Sequence, residues 1–120
     1  MFLMIPQSTS AQWTTASGVP NTIVWDFVAD GSTFFAAANN GRIYQSTNDG
    51  VTWIEVVNLT DGVYCLEKKD SCIFAGTMGD LFRSTNHGMT WEDLNINSDP
   101  TFVRSLALYG GALYAGSSYF

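Results

Sequence analysis

The chain is poor in positive charge. Five basic residues (Arg42, Arg83, Arg104, Lys68 and Lys69) stand against eleven acidic ones in 120 residues, for a formal net charge of −6. Only Lys68 and Lys69 are adjacent, so the clustered cations that neutralise phosphates are missing and no nucleic-acid partner is expected. Apolar runs are short as well. None approaches the ~20 residues of a helical membrane span, and no membrane partner is expected. The opening Met1-Phe2-Leu3-Met4-Ile5 carries no basic residue and falls short of the at least ~7-residue apolar core of a secretory signal. It reads as a strand, and no compartment is indicated. Asn58-Leu59-Thr60 has the form of a glycosylation sequon, which without evidence of secretion is read as chance.

Histidine and cysteine are almost absent. His87 is the single histidine, has no second His or Cys close in sequence, and reads as an exposed turn residue. With Asp70-Ser71 as a two-residue turn, Lys69 faces Cys72 and Cys65 faces Gly76. Cys65 and Cys72 are then about four residues out of register, roughly 13 Å at ~3.3 Å per residue. A disulfide needs Cα atoms within about 7 Å. Both are therefore expected as free thiols packed as small hydrophobes.

What the chain has is aromatic residues and repetition. Eight Phe, five Tyr and four Trp, with 46% apolar residues overall, suit half-buried pleated surfaces, and helical periodicity is missing. Ser46-Thr47-Asn48-Asp49-Gly50-Val51-Thr52-Trp53 returns as Ser84-Thr85-Asn86-His87-Gly88-Met89-Thr90-Trp91. A period near 40 residues marks an architecture of stacked supersecondary units.

Aligned on these octapeptides, the chain divides into strand segments A to D. A strands open at Val24-Trp25-Asp26-Phe27, Val63-Tyr64-Cys65-Leu66 and Val103-Arg104-Ser105-Leu106. Tight turns at Gly31-Ser32, Asp70-Ser71 and Gly110-Gly111 lead to B strands at Phe34–Ala37, Ile73–Gly76 and Leu113–Gly116. The small residues ending each B strand predict close approach of a neighbouring strand. C strands follow at Arg42–Gln45 and Leu81–Arg83, and D strands at Trp53–Val57 and Trp91–Leu94. The third repeat stops after B. At the other end, Met4-Ile5-Pro6-Gln7-Ser8-Thr9 matches Arg42–Thr47 in its Ile, Gln, Ser and Thr, and Trp13 stands where a box tryptophan should. The order is thus C-D, A-B-C-D, A-B-C-D, A-B. Residues 1–16 form one half blade, 22–57 and 62–95 two blades, and 101–118 the complementary half.

The repeated octapeptide resembles the BNR repeat, or Asp-box, of sialidase-like and photosystem II assembly factor-like propellers, with Asn48 and Asn86 where the family has Asp. The resemblance implies an all-β propeller of four-stranded antiparallel blades, with the box closing the C-D hairpin. The structural box residues are then Ser46, Asn48, Gly50, Thr52 and Trp53, and Ser84, Asn86, Gly88, Thr90 and Trp91. Gly supplies positive φ, and the Asn side-chain oxygen accepts hydrogen bonds from turn N–H groups. Asn48 and Asn86 also tolerate the left-handed region, and the two Trp fill space between blades. A Ca²⁺ loop needs six to eight oxygen ligands, whereas the first box holds only Asp49 and the second no carboxylate. No metal or cofactor is expected.

In sialidases three Arg clamp a carboxylate beside a Tyr-Glu pair. Here Arg42 and Arg83 are one position apart in aligned C strands, and Met4 stands at the arginine position of the family's first-blade motif; no glycosidase activity is expected. Glu55, Glu92 and Asp93 read as solvated edge charges. In the family, the D-A and B-C loops form the ligand-bearing face. On it would lie Asn39, Asn40, Asn58, Thr60, Asp61, Thr77, Met78, Asn95, Asn97 and Asp99, for a protein or glycan partner. The expected function is a noncatalytic interaction or scaffold module, with a carbohydrate-active propeller or an excerpt of a longer propeller as alternatives. Closed propellers have about four to eight blades, and this chain supplies three. The expected partner is therefore a second copy, giving a six-bladed homodimer in which Met4–Trp13 completes the blade begun by Val103–Ser117.

Overall fold

The computed structural model describes residues 2–7, 10–96 and 101–119, with 2–7, 10–14, 101 and 119 described by backbone alone. The described residues are all-β, with no helix. Strands β1 (Phe2–Gln7) and β2 (Ser10–Thr15) form a two-stranded antiparallel sheet. Strands β3 (Val24–Asp30), β4 (Thr33–Ala38), β5 (Arg42–Ser46) and β6 (Ile54–Asn58) form a four-stranded sheet in chain order. Strands β7 (Val63–Lys69), β8 (Cys72–Thr77), β9 (Leu81–Ser84) and β10 (Glu92–Asp93) repeat it, and β11 (Thr101–Tyr109) pairs with β12 (Ala112–Tyr119).

The three A-B hairpins turn where the sequence predicts, with Asp30 opposite Thr33, Lys69 opposite Cys72 and Tyr109 opposite Ala112. Cys65 faces Gly76, and both cysteines are free, Cys65 buried and Cys72 half-buried. One regularity lies outside simple alternation. Each A strand carries a β-bulge at the same place, so Trp25, Tyr64 and Arg104 are the extra residues between Val24 and Asp26, Val63 and Cys65, and Val103 and Ser105. A bulge bends the strand and re-aims the inserted side chain. Both D strands start one residue later than expected, at Ile54 and Glu92, and the second is shorter, ending at Asp93. Trp53 and Trp91 belong instead to the box turns, where each indole Nε1–H donates to the Gly50 or Gly88 carbonyl.

The sheets pack through their first strands. β7 lies against both β3 and β11. A core of Phe35, Ala37, Ile43, Leu59, Val63, Leu66, Ile73 and Ala75 joins the two four-stranded sheets, with Trp91 against it. On the other face of the first sheet, Ala36, Ala38, Tyr44 and Trp53 close over Ala16, which follows β2. There the chain is also fastened by Ser17, whose N–H donates to Val51 O at 3.1 Å and whose carbonyl accepts from Trp53 N at 2.9 Å. The small B-strand residue does meet a neighbouring strand. An ideal Cβ on Gly76 would lie 2.6 Å from Val103 Cγ1 and 2.8 Å from its carbonyl oxygen.

Candidate functional site

The two box turns have the same hydrogen bonds. Ser46 Oγ accepts from Gly50 N at 2.9 Å and donates to Asn48 Oδ1 at 3.0 Å, while Asn48 Oδ1 also accepts from Thr52 N at 2.9 Å. The second donor capacity of the amide is used, as Nδ2 reaches Thr52 Oγ1 at 2.7 Å. Ser84, Asn86, Gly88 and Thr90 repeat these contacts at 2.8–3.0 Å and 2.7 Å. Gly50 and Gly88 take φ of 79° and 81°. The left-handed residue before each is Asp49 or His87, at 59° and 58°, rather than Asn48 or Asn86. Asn48 and Asn86 serve the turn through their side-chain oxygens, which receive the Thr52 and Thr90 N–H. The Ser, Asn and Thr side chains of the two boxes are thus spent on the turn itself.

His87 has a partner that its sequence neighbourhood does not supply. Its Nδ1 lies 2.6 Å from Asp30 Oδ2 at the A-B turn of the preceding sheet, and Lys68 Nζ lies 3.2 Å from Asp30 Oδ1. The carboxyl of Asp30 is held below the usual carboxylate range, chiefly by the His87 hydrogen bond and further by Lys68, against the burial that opposes it. Asp26 makes a second inter-sheet tie, its Oδ2 accepting Leu66 N at 2.8 Å.

Two of the loops expected to share one end, 39–41 and 58–62, lie against each other. An ideal Cβ on Gly62 would lie 3.0 Å from Asn39 O and 3.2 Å from the Trp25 ring, and one on Gly41 would strike the Thr60 backbone at 2.8 Å. Most of the loops' polar side chains, however, bond to nearby groups of the protein itself. Asn39 Oδ1 accepts the Thr22 hydroxyl, and Asn40 spans Tyr44 OH at 3.1 Å and Arg42 N at 3.2 Å. Asn58 Oδ1 accepts Thr60 N at 3.0 Å, and Asn95 Nδ2 donates to Asp93 O at 3.4 Å. Thr77 is buried with its hydroxyl on Asp80 O at 3.0 Å, so it presents nothing at the rim. Asp61 and Met78 are exposed, Met78 bridging to Phe102. Asn97 and Asp99 lie outside the described residues.

On this end the three bulge residues come together, and the sequence reading did not single them out. Trp25 and Tyr64 stack with ring centroids 4.5 Å apart and planes 14° from parallel. The Arg104 guanidinium carbon lies 5.0 Å from the Tyr64 centroid and 4.6 Å from that of Phe102. Its Nε donates to Ser118 Oγ at 2.8 Å, which fixes the plane of the fork. Trp25, Tyr64 and Arg104 line an open concavity of about 270 Å³. The arrangement is held by aromatic stacking and by cation–π attraction.

No family model and no curated protein matches the chain. Among solved structures it is similar to two computationally designed proteins. The designed Ika8 protein matches at a TM-score of 0.68 and 15% identity, over 91% of this chain and 35% of that one. The designed Ika4 protein matches at 0.69 and 13%, over 86% of this chain and 64% of that one. The chain therefore spans about a third of the length of the first and just under two thirds of the second. At such identity the likeness concerns the fold alone.

Proposed function

We propose that the chain is a noncatalytic Asp-box β-propeller module that works by interaction, and that it completes its ring by head-to-tail association with a second copy. One observation carries this reading. Two complete four-stranded sheets, packed through β3 and β7, are accompanied by two strand pairs, β11-β12 against β7 and β1-β2 ahead of the first sheet in the chain, which we read as strands A-B and strands C-D. Each half sheet has the edge that the other half needs, and a free edge is a template for pairing. Two copies make two whole sheets from four halves, a heterologous contact that closes into a ring of six. Deleting residues 1–13 should abolish the association while leaving the two central sheets folded.

The absence of catalysis in this reading rests on how the arginines are used. Arg42 pairs with Glu55 at 2.9 Å, Arg83 pairs with Glu92 through Nε at 2.7 Å, and Arg104 lies over Tyr64 and Phe102. They are spent separately, so no carboxylate clamp forms among them. A second reading, glycan binding, draws support from the exposed Trp25 ring beside the polar Asn39 loop. A glycan array with a fluorogenic sialoside assay separates the two. Hydrolysis by the purified chain contradicts the first reading, and saccharide retention dependent on Trp25 establishes the second. A third reading, a segment of a longer propeller, draws on the greater length of the designed proteins with similar folds. It predicts that the 120-residue chain does not form a closed dimer.

A further inference from the structure

The contact between the two four-stranded sheets has a counterpart on the outer side of the first sheet and on the last strand pair, and among the described residues each is only partly covered, the first by Ala16 and its neighbours. On β3, Asp26 and Asp30 turn toward the second sheet, and Phe27 turns the other way and is 50% exposed. Its equivalent on β7, Leu66, is only 6% exposed because the first sheet covers it. On β12, Tyr114 is 57% exposed, while its equivalent on β4, Phe35, is fully buried under the Gly88 turn. One face, around Phe27 and Trp25, and another, around Tyr114 and Arg104, are thus the two sides of an interface already made within the chain. Exposed apolar faces of this kind mark interaction surfaces.

We propose that Arg104 of one copy packs its guanidinium on the free indole face of Trp25 of a second copy, so that the bulge residues run as an unbroken ladder around the ring. The inference rests on the head-to-tail reading above and names its seam. Trp25 offers one ring face to Tyr64 and remains 43% exposed. Arg104 continues the same ladder beyond Tyr64, exposed, with its fork already oriented by Ser118. The next sheet in a head-to-tail ring is the first sheet of the second copy, and its bulge residue is Trp25. A guanidinium over an indole within about 6 Å is the strongest of the common cation–π pairs. Each copy carries a net charge of −6, so association relies on such local contacts against overall repulsion.

The test is subunit exchange between Arg104→Met and Trp25→Leu chains, followed by native mass spectrometry. Neither variant homodimer keeps the pair at either seam. The mixed dimer keeps both native residues at one seam and neither at the other. Losses within each chain cancel, because the same chains are present before and after exchange, and the remaining term is the coupling across the seam. The expected result is a mixed dimer in excess of random exchange, by roughly five- to thirtyfold in the exchange constant. If the variants are monomeric alone, dimer should appear on mixing. Random exchange, or no dimer on mixing when the wild-type chain dimerises, overturns the seam and leaves the head-to-tail reading standing. A wild-type chain that stays monomeric overturns both. Trp25→Phe replaces Trp25→Leu if the latter does not fold.

Discussion

Gly88 lies directly against Phe35 across the contact between the two four-stranded sheets, where an ideal Cβ would sit 2.6 Å from Cε1 of the ring. Gly88 also has φ of 81°. Gly88→Val therefore meets a clash and a backbone conformation that β-branched residues rarely adopt, and should cost about 3 kcal/mol or more in urea melts. Gly31 has φ of 60° but nothing within 4 Å of its Cβ position. Gly31→Ala should cost about 1 kcal/mol. Equal losses at the two positions would show that the glycine turn does not pack between the sheets.

Within the boxes, the serine should matter more than the amide. Ser84 is fully buried and its Oγ accepts Gly88 N at 2.8 Å, so Ser84→Ala strands a buried N–H and should cost about 1–3 kcal/mol. Asn86→Asp keeps the acceptor for Thr90 N, and the Thr90 hydroxyl can rotate to donate to the new carboxylate. Its cost should be within about 0.5 kcal/mol. The reverse order in thermal melts contradicts this account of the turn.

The Asp30 cluster gives a pH dependence with a definite sign. A carboxyl whose folded-state pKa is depressed contributes stability that is present above its unfolded value of about 3.9 and lost as pH falls through the lower folded value. The cause is chiefly the His87 hydrogen bond. Urea midpoints measured from pH 6 down to pH 2 should therefore fall less steeply for Asp30→Asn than for the wild type. Parallel profiles would mean that the cluster does not form. His87→Ala should reproduce part of the flattening with little loss at neutral pH, since the ring is exposed.

Strands, hairpin turns, box chemistry and the cysteine register were legible because the same residues recur at equivalent places in successive repeats. Two kinds of feature were not. The bulge at Trp25, Tyr64 and Arg104 is invisible to an alternation of period two, since it is a one-residue slip within a strand that the pattern still reads as continuous. A signal was present in the alignment, because each A strand places one large side chain between the opening Val and a smaller residue. The Asp30–His87 pair links residues far apart in sequence, and only the stacking of two sheets brings them together. Loop polarity misled in a different way: Thr77 and Asn40 are polar because the turns consume their hydrogen bonds, not because a ligand awaits them.

The thiols should differ in the folded chain. Burial pushes the Cys65 thiol up to about 11, and its Sγ donates to Val103 O at 3.4 Å. Cys72 is only half-buried. A thiol reagent at pH 8 should label Cys72 well before Cys65, and both after denaturation without reductant. Because the folded pKa of Cys65 is raised, the stability it contributes is intact below about pH 8.5 and declines as pH rises toward 11. Equal native labelling rates would contradict the packing of Cys65 between the sheets.

The central claim is that two half sheets complete each other between copies, and the mass of the purified chain in solution tests it most directly. Light scattering on the wild-type protein should give twice the 13.1 kDa chain mass, in a compact particle that persists on dilution. A stable, compact monomer of 13.1 kDa would contradict the claim.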